Sequence, residues 1–318
     1  MKRIFAVLLA LAMVASLAAC GGGTTTMTMG TGSPTGTYYA YGGIISQYIT
    51  NNAGVTANHV STGGSKDNIQ GIDRGDYQLG TVQSDVMHYA WNGTRSFETD
   101  GKIESFRTVA GLYAEAVQLV TVTDDIKTVA DLKGKKVSIG APGSGVYFNA
   151  IDVLAAAGLS EADIVPQYQS FGDSADALKD GKIDAAFIVA GAPTPAIQEL
   201  CTTSDAYLVP IDGDVAATLM QSSPYYTTYK IPAGTYEGQD AEVTTVTVKA
   251  TLIVSASASE EDVYKLTAAI FDNIDAITAA HAKGAELSID NAISGMTAPF
   301  HKGAAKYFAE KGATVAIE

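Results

Sequence analysis

The chain has 318 residues, 47% of them hydrophobic, and its 34 acidic side chains outnumber 20 basic ones for a formal net charge of −14. That balance is repelled by phosphate backbones and anionic lipid, which argues against nucleic-acid binding and electrostatic docking on a membrane. Two cysteines, Cys20 and Cys201, are too few for a disulfide scaffold, so hydrophobic cores must hold one large or two medium α/β domains.

Met1-Lys2-Arg3 is a charged start, and Ile4 to Ala15 is an apolar run too short to span a bilayer. Leu17-Ala18-Ala19-Cys20 resembles a bacterial lipobox, which implies cleavage before Cys20 and diacylation of its thiol. An ordinary secretory signal cleaved nearby is the alternative. Residues 1–19 are expected to be a signal peptide and residues 20–26 a lipidated, flexible tether. In either case the chain is exported, to the periplasm or, lipid-anchored, to the outer face of the cytoplasmic membrane. Loss of Lys2 and Arg3 leaves 18 basic residues against 34 acidic, or −16.

Met27 to Thr31 alternates as a first strand, Gly32 to Thr37 is a turn cluster, and Tyr38 to Asn51 carries helical periodicity through Tyr41, Ile44, Ile45, Tyr48 and Ile49. A second strand, Val55 to Val60, runs into Ser61-Thr62-Gly63-Gly64-Ser65 and a helix through Ile69 and Ile72. A third, Tyr77 to Val82, runs into Gln83-Ser84-Asp85 and a helix through Val86 and Tyr89. Three successive βα units predict parallel strands with crossover helices, whose ligands bind beyond the strands' carboxyl ends.

Phe106 to Tyr113 and Ala116 to Thr123 read as two adjacent strands, with Ala114-Glu115 between them. A second set of units follows: a helix near Thr128 to Lys133, a strand at 136–140, the loop Ala141-Pro142-Gly143-Ser144-Gly145, and a helix from Tyr147. Ala175 to Asp180 reads as helix and Ile183 to Val189 as strand, closed by Ala190-Gly191-Ala192-Pro193-Thr194-Pro195 before another helix. Tyr207 to Ile211 is a short strand, and Pro224 to Gln239 is rich in Tyr, Thr, Pro and Gly. Val243 to Val254 is a β-type run long enough to pass between domains. Glu260 to Ala280 is the longest helical pattern, and residues 303–311 form a last short helix.

Five loops, 31–37, 61–65, 83–85, 141–145 and 190–194, share small hydroxyl, glycine or amide residues at predicted strand-to-helix junctions. Two α/β lobes facing each other with these edges define a cleft lined by N–H groups and hydroxyls, where helix N-termini suit a carboxylate. Nucleotide motifs fail: Gly140 and Gly145 have P-loop spacing, but Val146-Tyr147 stand where Lys and Ser or Thr are required. No G-x-S-x-G elbow surrounds Ser144, and His59, His88, His281 and His301 share no metal-ligand spacing. No catalytic residue, metal or cofactor is expected.

Seven blocks then align with one family: Gly36-Thr37-Tyr38-Tyr39, Ser61-Thr62-Gly63-Gly64-Ser65, Val82-Gln83-Ser84-Asp85, Asp131-Leu132-Lys133-Gly134-Lys135, Gly140 to Gly145, Val189 to Pro195, and Ile231-Pro232-Ala233-Gly234-Thr235-Tyr236. In this order they resemble the TAXI family of TRAP-transporter solute receptors. The resemblance implies an α/β, two-lobed periplasmic-binding-protein fold (type II-like) with the ligand cleft between lobes. It also implies a monomer that delivers a small carboxylate, glutamate- or 2-oxoglutarate-like, to a TRAP-type membrane permease. Lobe 1 is expected over 27–115 plus 225–318, and lobe 2 over 116–224. Val146 departs from the Thr common in relatives and removes one hydroxyl contact.

Candidate ligand-binding residues are Thr37, Tyr39, Thr62, Gly64, Ser65, Gln83, Ser84, Asp85, Ser144, Gly145, Ala190, Gly191 and Tyr226. Tyr39 is favoured over Tyr38 for the cleft. Ser65 and Ser144 are each either an N-cap or a ligand donor. Asp85 is either an N-cap or a carboxylate facing a ligand cation, such as an α-amino group. Tyr225, Tyr226 and Tyr236 form a lid or coat a long loop. Lys66 is the only base beside these loops, so the turns' N–H groups and hydroxyls are expected to neutralise the carboxylate. Two alternatives remain: a receptor for a membrane sensor protein, and a serine hydrolase lipoprotein using Ser144, for which no base is visible.

Lipidation at Cys20 predicts that Cys20→Ser releases the mature domain from the membrane fraction. Equal membrane retention of both forms, measured by fractionation and intact mass, refutes it.

Overall fold

The computed structural model describes residues 25–317. The expected signal peptide, Cys20 and the tether up to residue 24 lie outside the described residues. The last two tether residues are not tether: Thr25 and Thr26 pair with Val55 and Thr56 as the start of the first strand.

The first half runs β1 (Thr25–Gly30), α1 (Thr37–Asn52), β2 (Val55–Val60), α2 (Ser65–Arg74), β3 (Leu79–Gln83) and α3 (Ser84–Asn92). β1 lies between β2 and β3, parallel to both, as three βα units dictate. Next comes β4 (Phe106–Thr121), which corrects the expectation of two strands, because Ala114-Glu115 continues the ladder without a turn. The second half follows with β5 (Lys136–Ser138), α4 (Val146–Ala156), β6 (Val165–Gln167), α5 (Phe171–Lys179), β7 (Ala185–Ala190), α6 (Pro195–Thr203) and β8 (Tyr207–Val209). The chain continues through α7 (Gly213–Ser222), β9 (Thr227–Ile231) and β10 (Val243–Ser255). It ends with α8 (Glu260–Phe271), α9 (Ile274–Ala280), α10 (Ile289–Ile293) and α11 (Lys302–Glu310). The long helical pattern thus breaks at Asp272-Asn273, where the Asn273 amide donates to the Ala269 carbonyl at 2.9 Å and competes with the backbone ladder.

Strand order is β2-β1-β3-β10-β4-β7-β5-β6, with β8 on β4 and β9 on β10. The sheet is parallel at its two ends and antiparallel in the middle. β4 pairs with β10 between Phe106 and Ala116, then with β7 between Ala116 and Thr121. β10 likewise pairs with β9 through Val243 to Thr247 and with β3 through Ala250 to Val254. Each long strand therefore belongs to both halves.

Alternation along these strands explains why each half is covered on both faces. Leu252 joins Met29, Tyr41, Ile45, Leu266 and Phe308 on one face of the first half, while Ile253 joins Ile69, Val82 and Val86 on the other. In the second half, Val117 and Leu119 pack with Leu154, Phe187 and Leu219, and Val120 packs with Leu178, Ile188 and Leu200. Tyr226, Ile231 and Tyr236 are buried in these second-half clusters.

Leu252→Ala should therefore cost about 2–5 kcal/mol, since Leu252 is fully buried. Val165→Ala should change stability by less than about 0.5 kcal/mol, because Val165 is 45% exposed. Urea melts with an unchanged slope would check both.

Candidate functional site

Asn68, fully buried on α2, ties three strand ends together. Its amide nitrogen donates to the Thr31 and Thr81 carbonyls, each at 2.7 Å, and its oxygen accepts the Thr62 hydroxyl at 2.7 Å. A side chain on Gly30 would meet that oxygen at 2.5 Å, so glycine is needed there. In the second half, Gln118 on β4 donates to Thr194 Oγ1 at 2.9 Å and accepts the Tyr236 hydroxyl. Tyr236 in turn accepts the Thr194 N–H at 2.9 Å. The tyrosine-rich loop is thus neither a lid nor a coat at this point, but a clamp on the 190–194 turn.

These turns surround one cavity of about 230 Å³. Among the expected site residues, Thr37, Thr62, Gly64, Ser65, Gln83, Ser144, Gly145 and Ala190 line it. Tyr39 does not: it stands edge-on to His59, ring centroids 4.7 Å apart, and the neighbouring Tyr38 takes the cavity wall. One residue along a helix turns the side chain by about 100°, and periodicity did not separate the two tyrosines. Ser84, Asp85, Gly191 and Tyr226 also stand off the wall. The Ser84 hydroxyl accepts the Lys249 N–H at 3.3 Å, and the Gly191 carbonyl accepts the Thr37 hydroxyl at 2.8 Å across the two halves.

Neither serine caps a helix. Gly64 and Gly145 hold the N-cap positions of α2 and α4, and Ser65 Oγ accepts the Gln83 N–H at 3.1 Å. Ser144 Oγ is buried without a hydrogen-bond partner, as are Gln83 Oε1, Gln169 Oε1 and the Tyr38 hydroxyl on the same wall. The 61–65 turn departs from expectation, because most of its N–H groups are engaged. Thr62 donates to the Gly32 carbonyl at 3.3 Å, Gly63 to Asp67 at 3.0 Å and Gly64 to Thr62 Oγ1 at 3.1 Å, and just beyond the turn Lys66 N–H donates to the Gly143 carbonyl at 3.1 Å. That last bond joins the two halves at the cavity rim.

Sequence reasoning missed Glu115, which lines the cavity at 2% exposure. Reading two strands leaves it between them; the available signal is an acid inside an otherwise apolar strand run. Burial pushes its carboxyl up to about 8, the Asp85 charge adds to this, and Tyr38, Gln83 and Lys283 pull the other way. Lys283 is itself paired with Glu286 at 2.6 Å.

Asp85 is not a cap; Gln83 holds that position of α3. Its carboxylate accepts from Asn149 Nδ2 at 3.0 Å, and burial pushes its carboxyl up to about 7. Asn149 also donates to the Tyr226 hydroxyl at 2.7 Å, which donates to Asp152 at 3.1 Å, and Asp152 pairs with Arg95 at 2.5 Å. Asp85 therefore fastens α3 to α4 beside the cavity, and Tyr226 braces α4 from the segment before β9. No group of three or more metal-ligating side chains occurs among the described residues.

A family model described as the NMT1-like family matches residues 29–312. Among solved structures, the alkanesulfonate-binding protein SsuA from Xanthomonas axonopodis pv. citri is 15% identical, covering 94% of this chain and 88% of its own, with a TM-score of 0.50. A protein from Bordetella bronchiseptica RB50 is 18% identical over 93% of this chain and 84% of its own, with a TM-score of 0.53. A putative L-cystine ABC transporter protein from Listeria monocytogenes is 16% identical over 83% of this chain and 98% of its own, with a TM-score of 0.51. At these identities the likeness establishes the fold, that of two-lobed type II periplasmic binding proteins with a ligand cleft.

Asp85 and Glu115 bind their protons more tightly folded than unfolded, where carboxyls titrate near about 4. Their stabilising contribution is fully present below about pH 4 and is lost as pH rises through about 7 and 8. Melting temperature of the ligand-free protein should fall from about pH 7 to about pH 9, a window above the unfolded histidine value of about 6.5, by which the contributions of His88, His281 and His301, lowered by burial, are complete. The fall should be shallower in the D85N/E115Q double variant, as calorimetric scans would show.

Proposed function

The chain belongs to the NMT1-like family of extracytoplasmic solute-binding proteins, and from that premise we propose that it captures a small carboxylate-bearing solute, glutamate- or 2-oxoglutarate-like, for import. The observation that carries this is the cavity itself, walled by loops from both halves and rich in buried, unpartnered polar atoms. Ser144, at the N-terminal end of α4, is placed to hold the carboxylate together with the helix dipole. No turnover is part of this function.

The two sets of βα units suggest lobes of 27–115 with 225–318, and 116–224. Packing of Tyr226, Ile231 and Tyr236 with the second half favours a return crossover within β10 rather than at residue 225. The TAXI resemblance favours a TRAP-type permease as the membrane partner, with Cys20 lipidated to keep the receptor near it. No helix among the described residues is long and apolar enough to cross a membrane.

Native mass spectrometry of the purified protein should show a small-molecule adduct, and scattering should show the radius shrinking when that molecule is added back. A tight ligand that leaves the radius fixed would count against closure. Ser144→Ala should weaken binding roughly ten- to a hundredfold. It should leave the ligand-free melting temperature nearly unchanged, because that hydroxyl has no partner to lose. Wild-type affinity would remove Ser144 from the site.

A further inference from the structure

We propose that the solute presents a protonated amine to Glu115, making this carboxyl on β4 the group that selects aminated solutes over otherwise similar anions. The inference rests on the receptor function above and names the second half of the ligand. Glu115 is the one charged side chain among the described residues that line the cavity; no Lys, Arg or His joins it there. It is 2% exposed and has no salt-bridge partner among the described residues. A buried carboxylate without a counter-ion is costly, so it must either keep a proton or meet a cation.

The groups facing it come from several elements: Tyr38 on α1, Gln83 at the end of β3, Asp85 on α3, and Lys283 in the turn after α9. Lys283 is committed to Glu286 at 2.6 Å and lies behind Gly191, where a side chain would meet its Cε at 2.9 Å. Asp85 adds negative charge. The side of the cavity near Glu115 therefore repels a second carboxylate, sulfonate or phosphate and attracts a cation. An ammonium also brings three N–H donors, and Gln83 Oε1 and Gln169 Oε1 on the same wall are buried acceptors without partners. With most N–H groups of the 61–65 turn engaged, the cavity offers little to neutralise a negative group set beside Glu115 in place of an amine.

The test titrates wild-type and E115Q protein by calorimetry with two sets of probes. L-alanine, L-glutamate and propylamine carry the amine; pyruvate, 2-oxoglutarate and ethanesulfonate do not. The amino acids should bind wild-type and lose affinity on the order of a hundredfold in E115Q. Propylamine binding would show that the amine alone suffices, and its failure beside amino-acid binding that the carboxylate is needed too; both require Glu115. In two buffers of different ionisation enthalpy, amine binding at neutral pH should release a proton from wild-type and none from E115Q. That readout, with an E115Q melting temperature at or above wild-type, separates charge recognition from a folding defect. If the oxo acids or the sulfonate bind wild-type and E115Q alike, the amine inference is overturned and the receptor function stands. If no probe binds, the inference is overturned as well, and a native mass spectrum without any adduct removes the receptor function too.

Discussion

The antiparallel pairing of β4 with β10, from Phe106 opposite Ser255 to Ala116 opposite Thr247, is where the two halves of the molecule share backbone. Each half needs these strands to complete its own sheet, since β3 has no other partner on that side and β7 closes on β4. The ladder is not regular: its register shifts between Lys249 and Thr251 and again between Leu252 and Ile253. Such irregularities bend a strand and add twist where the chain crosses between the halves. Glu115 sits opposite Val248 in this stretch, so the one charged group on the cavity wall among the described residues is carried by backbone common to both halves.

Each half solves the same problem with a buried carboxamide. Loops beyond strand ends carry polar backbone groups that must find partners once water is excluded. Asn68 satisfies two carbonyls and a threonine hydroxyl in the first half; Gln118 does the same work for the 190–194 turn through Thr194 and Tyr236. These amides have both donors and acceptors, which hydroxyls and carboxylates cannot offer in the same geometry. The turns are consequently held rigid from behind, and the atoms facing the cavity are left free of internal partners.

Much of this was legible from periodicity. Strand-to-helix junctions at 61–65, 83–85 and 141–145 follow from apolar runs that end in Gly, Ser and Gln, and all three do meet at the cavity. Glu115 was hidden because a polar residue inside an apolar run looks like a turn until the continuous ladder is seen. Tyr38 and Tyr39 differ by one helical step, which the stripe of Tyr41, Ile45 and Ile49 does not resolve. Asp85 and Tyr226 carry the right chemistry for a cleft, yet the approach of α4 draws both into a network with Asn149 and Asp152. That approach is tertiary, set by packing between residues far apart in sequence. Local pattern does not encode it.

The rim bond from the Lys66 N–H to the Gly143 carbonyl, with the Thr37 hydroxyl on the Gly191 carbonyl, means that the jaws grip each other as well as whatever lies between them. Both bonds span the halves without help from a solute, so the contact between the jaws does not depend on the solute alone. Any population that these bonds hold shut without solute lowers the measured affinity by the fraction that remains open and competent. The same grip lengthens residence once a solute is inside. Widening the gap between the halves costs both of these bonds to backbone carbonyls, at whichever step of the cycle it occurs.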